Sequence, residues 1–137
     1  MKRKSAFLQL ALLTIVMILW SPTPLLAARQ TKSSTPQEVF DAMRTSFQAA
    51  QAKGVYGGYQ WYISGPQGGQ WWIRVKDGTF KMGKGAIKNP DVTFNVSAKD
   101  WVALSNGTLP GIWAYLTGRL QIRGDHSLVR KLGKIFP

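Results

Sequence analysis

The chain has 137 residues, with 18 lysines and arginines, 6 aspartates and glutamates, one histidine and no cysteine. This length suits a single domain. Without cysteine the sequence excludes disulfides, thiolate metal sites and cysteine nucleophiles, and a single histidine removes most metal and general-base chemistry. The formal net charge of +12 favours anionic partners.

The first 28 residues have the pattern of an export signal. Lys2, Arg3 and Lys4 precede an uncharged run from Ala6 to Trp20, and Ala27-Ala28 supplies a small-residue cleavage site. We therefore predict a signal peptide over 1–28, a periplasmic or extracellular location and a polar tether over 29–34. Because the apolar run is shorter than the roughly 20 residues that span a bilayer, anchoring by an uncleaved signal is the alternative.

The domain is predicted to begin with a helix at Thr35. Thr35, Pro36 and Glu38 together form a capping box with proline at the first helical position. Apolar residues then recur at helical spacing as far as Lys53-Gly54, which supplies a glycine at the C-terminal end. One continuous helix over this stretch is expected.

Alternating apolar and polar residues predict five strands. Asp77-Gly78 is the two-residue signal of a type I′ hairpin turn, and the glycine-rich and lysine-rich run 83–90 is predicted to be a mobile loop. Three more helices are predicted, beginning near Ser97, Pro110 and Gly124-Asp125. The predicted strands are 56–64, 70–76, 79–82, 91–96 and 119–123. We expect an α+β fold, a mostly antiparallel five-stranded sheet covered by helices on one face.

Two segments of this pattern are specific enough to suggest a family. The run Asn89-Pro90-Asp91-Val92-Thr93-Phe94-Asn95-Val96-Ser97 is followed, after an apolar helical stretch, by Tyr115-Leu116-Thr117-Gly118-Arg119-Leu120-Gln121-Ile122-Arg123-Gly124-Asp125. Both segments resemble the sterol carrier protein family, and the resemblance covers roughly 35–136. The resemblance implies an apolar tunnel between sheet and helices that holds a sterol, fatty acid or other acyl lipid.

The matching positions give a set of candidate lipid-binding residues. Trp101 and Trp113 would narrow a tunnel, so an acyl chain is at least as well suited as a sterol ring, and Trp113 is expected on the wall opposite the strands. The resemblance implies a carrier that is not an enzyme, with no catalytic residue, cofactor or metal. The candidate lining residues are Phe94, Val96, Trp101, Leu104, Ile112, Trp113, Leu116, Leu120, Leu128, Leu132 and Phe136.

Other interpretations stay open at this point. Apolar spacing is the same for a tunnel wall and for a solid core, so a solidly packed accessory or protein-interaction module is the alternative, as is a domain presenting lipid to a separate enzyme. Without Lys2, Arg3 and Lys4, fifteen basic against six acidic side chains leave a net charge of +9. For an exported chain this charge favours anionic membrane surfaces over nucleic acid. We expect a monomer.

Overall fold

The computed structural model describes residues 32–137. The predicted signal peptide over 1–28 and the first residues of the predicted tether lie outside the described residues. Ser33 and Ser34, at the end of the tether, are fixed to the domain: the Ser33 backbone N–H donates to Asn106 Oδ1, and the Ser34 N–H donates to Glu38 Oε2.

Helices and strands follow one another in the predicted order, except that two helices replace the predicted first one. The bounds are α1 Pro36–Ser46, α2 Ala49–Ala52, β1 Tyr56–Ser64, β2 Gly69–Lys76, β3 Thr79–Lys84, β4 Val92–Ser97, α3 Ala98–Ser105, α4 Gly111–Leu116, β5 Leu120–Gly124 and α5 His126–Ile135. None of the helices within 32–137 is long and apolar enough to cross a membrane.

The five strands form one sheet in the order β3-β2-β1-β4-β5. The central pair, β1 and β4, is parallel, and the other three pairs are antiparallel. This register places Trp61 between Trp71 and Phe94 on one face of the sheet. The predicted α+β class and the mostly antiparallel sheet are therefore confirmed.

Local sequence signals explain most of the boundaries. Asp77 and Gly78 both have positive φ, 42° and 78°, as the predicted type I′ turn requires. The N-caps act as expected: Thr35 Oγ1 accepts from the Glu38 N–H, Ser97 Oγ from the Asp100 N–H, and the Asp125 carboxylate from the Ser127 N–H.

The expectation of one continuous helix from Pro36 to Lys53 is wrong. The backbone becomes extended at Phe47, with ψ 128°, and separates α1 from α2. The Gln48 N–H donates instead to the carbonyl of Ile135, at 2.8 Å. A hydrogen bond to the end of α5 thus takes the place of the intrahelical bond that would have continued α1.

The connection from β3 to β4 is held to the outer face of the sheet, the face opposite α1, α3 and α5. Gln60 is fully buried there, and its Nε2 donates to the carbonyls of Trp71 and Gly85 while its Oε1 accepts from the Ile87 N–H. Asp91 Oδ2 accepts from the Gly58 N–H at 2.7 Å. These bonds correct the expectation of a mobile loop, because the connection satisfies buried polar groups of β1.

The core lies between the other face of the sheet and the helices. Residues 32–137 form a compact unit with its own core, so we expect this part of the chain to fold as a unit. Its fully buried large side chains include Trp61, Tyr59, Phe40, Ile73 and Ile135.

Candidate functional site: the apolar interior

One end of the interior is filled by aromatic rings. Phe40 of α1 lies at the centre of this aromatic cluster, with ring centroids 5.2 Å from Trp61, 5.1 Å from Trp71 and 5.6 Å from Trp101. Trp61 also stacks on Phe94 at 4.9 Å. The alternation of β1, β2 and β4 aims these rings at α1 and α3, so the cluster joins the sheet to two helices.

A second aromatic group lies where the break after α1 meets the end of α5. Phe47 contacts Phe80 at 4.5 Å and Phe136 at 5.4 Å between ring centroids. Phe80 and Phe136 meet edge to face at 5.4 Å. The extended backbone at Phe47 therefore places its ring against β3 and the C-terminal residues.

Tyr59 joins the sheet to α5 inside the core. Its hydroxyl donates to the carbonyl of Leu128 at 2.8 Å, and the residue has no exposed surface. Burial, with smaller contributions from the carboxylates of Asp125 and Asp91, raises the pKa of Tyr59 from 10.0 to about 12. The neutral phenol is thus the form that the folded protein holds.

This shift predicts a loss of stability at alkaline pH. Because the folded pKa lies above the unfolded value, Tyr59 contributes stability fully below pH 10 and loses it as the pH rises to about 12. Tyr59→Phe should cost about 1 kcal/mol near neutrality through the lost hydrogen bond. The difference between the two proteins should then shrink above pH 10. Urea unfolding from pH 8 to 11 measures it, and a constant difference would contradict the assignment.

Two polar groups in this interior have no partner among the described residues. The indole Nε1 atoms of Trp61 and Trp101 are buried without a hydrogen bond, whereas Trp71 Nε1 donates to Gln37 Oε1 at 3.4 Å. The rings of Trp61 and Trp101 lie 5.6 Å apart. Buried donors without acceptors are rare because each costs free energy. Two of them in neighbouring rings therefore leave unsatisfied donors in this part of the interior.

Helix α4 presents its apolar side chains to solvent. Ile112 is 62% exposed, Trp113 60%, Tyr115 46% and Leu116 67%, while Ala114 is fully buried. Ala114 is the one buried residue of the helix, and the helix lies next to β5. The four large side chains therefore form an exposed patch, called the α4 patch below.

A groove of about 480 Å³, lined in part by basic side chains, lies on the outer face of the sheet, away from the apolar interior. Tyr56, Arg74, Lys76 and Lys81 line it, with Asp91 at its edge. Sequence reasoning missed this groove, although the signal was present: Arg74 and Lys76 alternate with the buried Val75, and Lys81 pairs with Arg74 in the register.

Asp125, His126 and Ser127 do not form a catalytic chain. The Ser127 hydroxyl donates to Asp125 Oδ1 at 2.6 Å, so the serine is bonded to the carboxylate and not to the imidazole. This bond is the largest contribution that lowers the pKa of Asp125. The His126 ring instead lies 6.4 Å from that of Tyr115. A hydrolase triad would require the serine to bond to the imidazole, so these contacts do not form one.

The matching sequence pattern now identifies the family. The SCP-2 sterol transfer family matches residues 39–137, which include the whole sheet and the interior beneath it. The chain belongs to this family. The resemblance carried by the segments 89–97 and 115–125 is thereby confirmed.

Curated relatives are much longer than this chain. Hydroxysteroid dehydrogenase-like protein 2 of Xenopus tropicalis is 31% identical over 110 residues, which cover 80% of this chain and 26% of the relative. The chain thus spans about a quarter of that relative.

Solved structures share the fold. Palmitated SCP2L2 of Aedes aegypti is similar with a TM-score of 0.63 and 25% identity, covering 75% of this chain and 95% of that one. A sec-alkylsulfatase from Pseudomonas sp. contains a similar fold, with a TM-score of 0.62 and 20% identity, covering 75% of this chain and 16% of the sulfatase. The sterol carrier fold thus occurs both as nearly a whole chain and as a small part of a longer one.

Most of the candidate lining residues of this sterol carrier domain lie in or next to the interior. Phe94, Val96, Leu128 and Phe136 are buried in the core, and four more pack against it while partly buried. Their contact with lipid stays a prediction. The partly buried four are Trp101, Leu104, Leu120 and Leu132.

The three candidates on α4 are placed differently. Ile112, Trp113 and Leu116 belong to the exposed α4 patch, so the expectation that they line an interior wall is corrected. The physical reason is the short helix: its one fully buried side chain is the small Ala114, so its larger side chains face outward. A lipid held between sheet and helices would not touch them in this conformation.

Proposed function

We propose that this sterol carrier domain is an exported, non-catalytic lipid carrier that holds one fatty acid, other acyl lipid or sterol in an apolar tunnel between its sheet and helices. The buried indole N–H groups of Trp61 and Trp101, which lack acceptors in an otherwise apolar interior, carry the proposal. A lipid with an oxygen-bearing head group would supply the missing acceptor and bury its chain among the surrounding rings.

The comparisons support the same ligand class. The family is named for sterol transfer, and the similar Aedes aegypti protein is palmitated. Trp101, Leu104 and Leu120 are among the partly buried apolar residues at the rim of the core, and their displacement would allow an acyl chain to enter. The Asp100–Arg119 ion pair, at 3.1 Å, joins α3 to the start of β5 beside Trp101 and Leu120.

Two rival functions have specific observations in their favour. Direct ring contacts within the aromatic cluster favour a solidly packed module that binds a protein partner and no lipid. The dehydrogenase-like relative and the sulfatase, of which this fold is a small part, favour a domain that presents lipid to a separate catalyst.

Indole resonances test the carrier proposal directly. Adding palmitate to the ¹⁵N-labelled protein should shift the Trp61 and Trp101 indole signals saturably, because a carboxylate accepts from both N–H groups. Hexadecane, which has no acceptor, should produce smaller shifts. Trp72, on the outer face, is the internal control and should not change. If neither the Trp61 nor the Trp101 indole resonance shifts with palmitate, the carrier proposal is wrong and the solidly packed module is the better interpretation.

The export part of the proposal rests on residues 1–28. Their basic start, apolar run and Ala27-Ala28 site support secretion and cleavage. Sequencing the N-terminus of the protein recovered outside the cytosol should find Ala28 or Arg29 first. An intact N-terminus in the membrane fraction would support anchoring instead.

A further inference from the structure

The α4 patch is the largest exposed apolar feature in the described part of the chain. Of the six large hydrophobic side chains that are exposed there, four lie on this six-residue helix, and the other two are Tyr56 and Tyr62 of β1. Ile112, Trp113, Tyr115 and Leu116 follow the i, i+1, i+3, i+4 spacing of one helical face. Clustered exposure of this kind marks a contact surface, whereas scattered exposed residues need no explanation.

The segment that carries the patch has an excess of basic side chains. No acidic residue occurs between Asp100 and Asp125, while Arg119 and Arg123 both lie in that stretch. The two flanking acids are already engaged, Asp100 in the ion pair with Arg119 and Asp125 in the N-cap of α5. From Ala98 to Pro137 six basic side chains stand against these two acids. The segment 98–137, which carries the apolar patch, therefore has a net positive charge.

This composition suits a bilayer surface better than another protein. Tryptophan and tyrosine prefer the membrane interface, and basic side chains beside them attract anionic headgroups. The helix is only about 9 Å long, so it can lie at the headgroup boundary and cannot cross the membrane. Four side chains that are each exposed by about half offer an exposed surface area on the order of 500 Å². A stable protein interface buries more, roughly 800 Å² of surface per partner.

We propose that α4 is the membrane-docking element of this domain, and that Ile112, Trp113 and Leu116 insert into the interface of bilayers containing anionic phospholipid. This inference rests on the proposed carrier function, because docking would serve to exchange the carried lipid. It assigns α4 as the surface at which that exchange would occur. Thr117-Gly118 connects α4 directly to Arg119 and Leu120, next to the rim of the interior. Docking through α4 would thus bring that rim to the bilayer.

The test uses residues 32–137, which form a compact unit, and vesicles of phosphatidylcholine with or without phosphatidylglycerol. Trp113→Ala and Leu116→Glu should each lower the partition coefficient onto the anionic vesicles by about tenfold. Tyr56→Ala is the matched control, since Tyr56 is 62% exposed, like Trp113, but lies on the outer face, where it lines the groove with Arg74, Lys76 and Lys81. It should change partitioning less than about twofold.

The outcomes separate this inference from the carrier proposal. The affinity for palmitate, measured without vesicles, should be the same in both α4 variants as in the parent protein. If the parent protein does not bind palmitate at all, the carrier proposal is wrong, but the docking inference still stands. Equal losses from Tyr56→Ala would assign docking to the outer face and overturn the inference. So would unchanged partitioning of both α4 variants, or a dimer that Leu116→Glu dissociates without any effect on vesicles.

Discussion

Trp61→Ala is expected to destabilise the domain by roughly 3 to 5 kcal/mol, the usual cost of emptying a large buried aromatic site. Trp61 has no exposed surface and contacts the rings of Phe40, Phe94 and Trp101. Such a loss is a large part of the 5 to 15 kcal/mol that typically stabilises a domain. Urea unfolding at neutral pH measures the change.

Trp113→Ala is the matched control for this effect. Its side chain is 60% exposed in the α4 patch, so the same substitution should change the free energy of unfolding by no more than about 0.5 kcal/mol. If Trp113 lined an interior wall, as the sequence suggested, the substitution would lower the free energy of unfolding by more than this. Similar losses at both positions would contradict the placement of Trp61 at the centre of the core.

Gly124→Ala is the second substitution with a large expected effect. Gly124 ends β5 with φ 104°, a conformation that disfavours any side chain, and its Cβ would collide with the carbonyl oxygen of Asp91. That carbonyl also accepts from the Asp125 N–H at 2.9 Å, so the backbone cannot move away without losing this bond. We expect a loss on the order of 2 to 4 kcal/mol from strain and a displaced edge strand.

The same substitution at Gly133 should act in the opposite direction. Gly133 lies within α5, and a Cβ there would meet nothing within 4 Å. Alanine should therefore stabilise the helix by about 0.5 to 1 kcal/mol. Thermal melts of the two variants compare the effects on stability at the two sites. If Gly124→Ala lowers the stability by no more than Gly133→Ala changes it, β5 is not held by the contacts with Asp91 described above.

Local signals predicted the features that depend on neighbouring residues. The caps at Thr35 and Ser97 and the turn at Asp77-Gly78 could be located because each requires a specific side chain or a positive φ within a few residues. The alternation of Val92, Phe94 and Val96 likewise predicted which face of β4 is buried. These interactions do not depend on the rest of the fold.

Features that depend on distant residues could not be predicted in the same way. The break at Phe47 depends on the bond from the Gln48 N–H to Ile135, and no residue near Gln48 indicates that partner. The prediction of the orientation of α4 was wrong for a related reason. An apolar stripe has the same spacing whether it faces the core or a bilayer. The burial of Ala114 and the exposure of the larger side chains are seen only in the folded structure. The identity of the candidate lining residues followed from the family resemblance, whereas their burial depended on the fold.

Native mass spectrometry of the domain equilibrated with palmitate tests the central claim most directly. The carrier account predicts a saturable increase in mass equal to one palmitate per chain, with Trp101→Phe weakening the complex because one indole donor is lost. The variant Trp72→Phe, altered on the outer face, should bind as the parent protein does. A protein that gains no mass with palmitate or with a sterol, while remaining folded, would contradict the account.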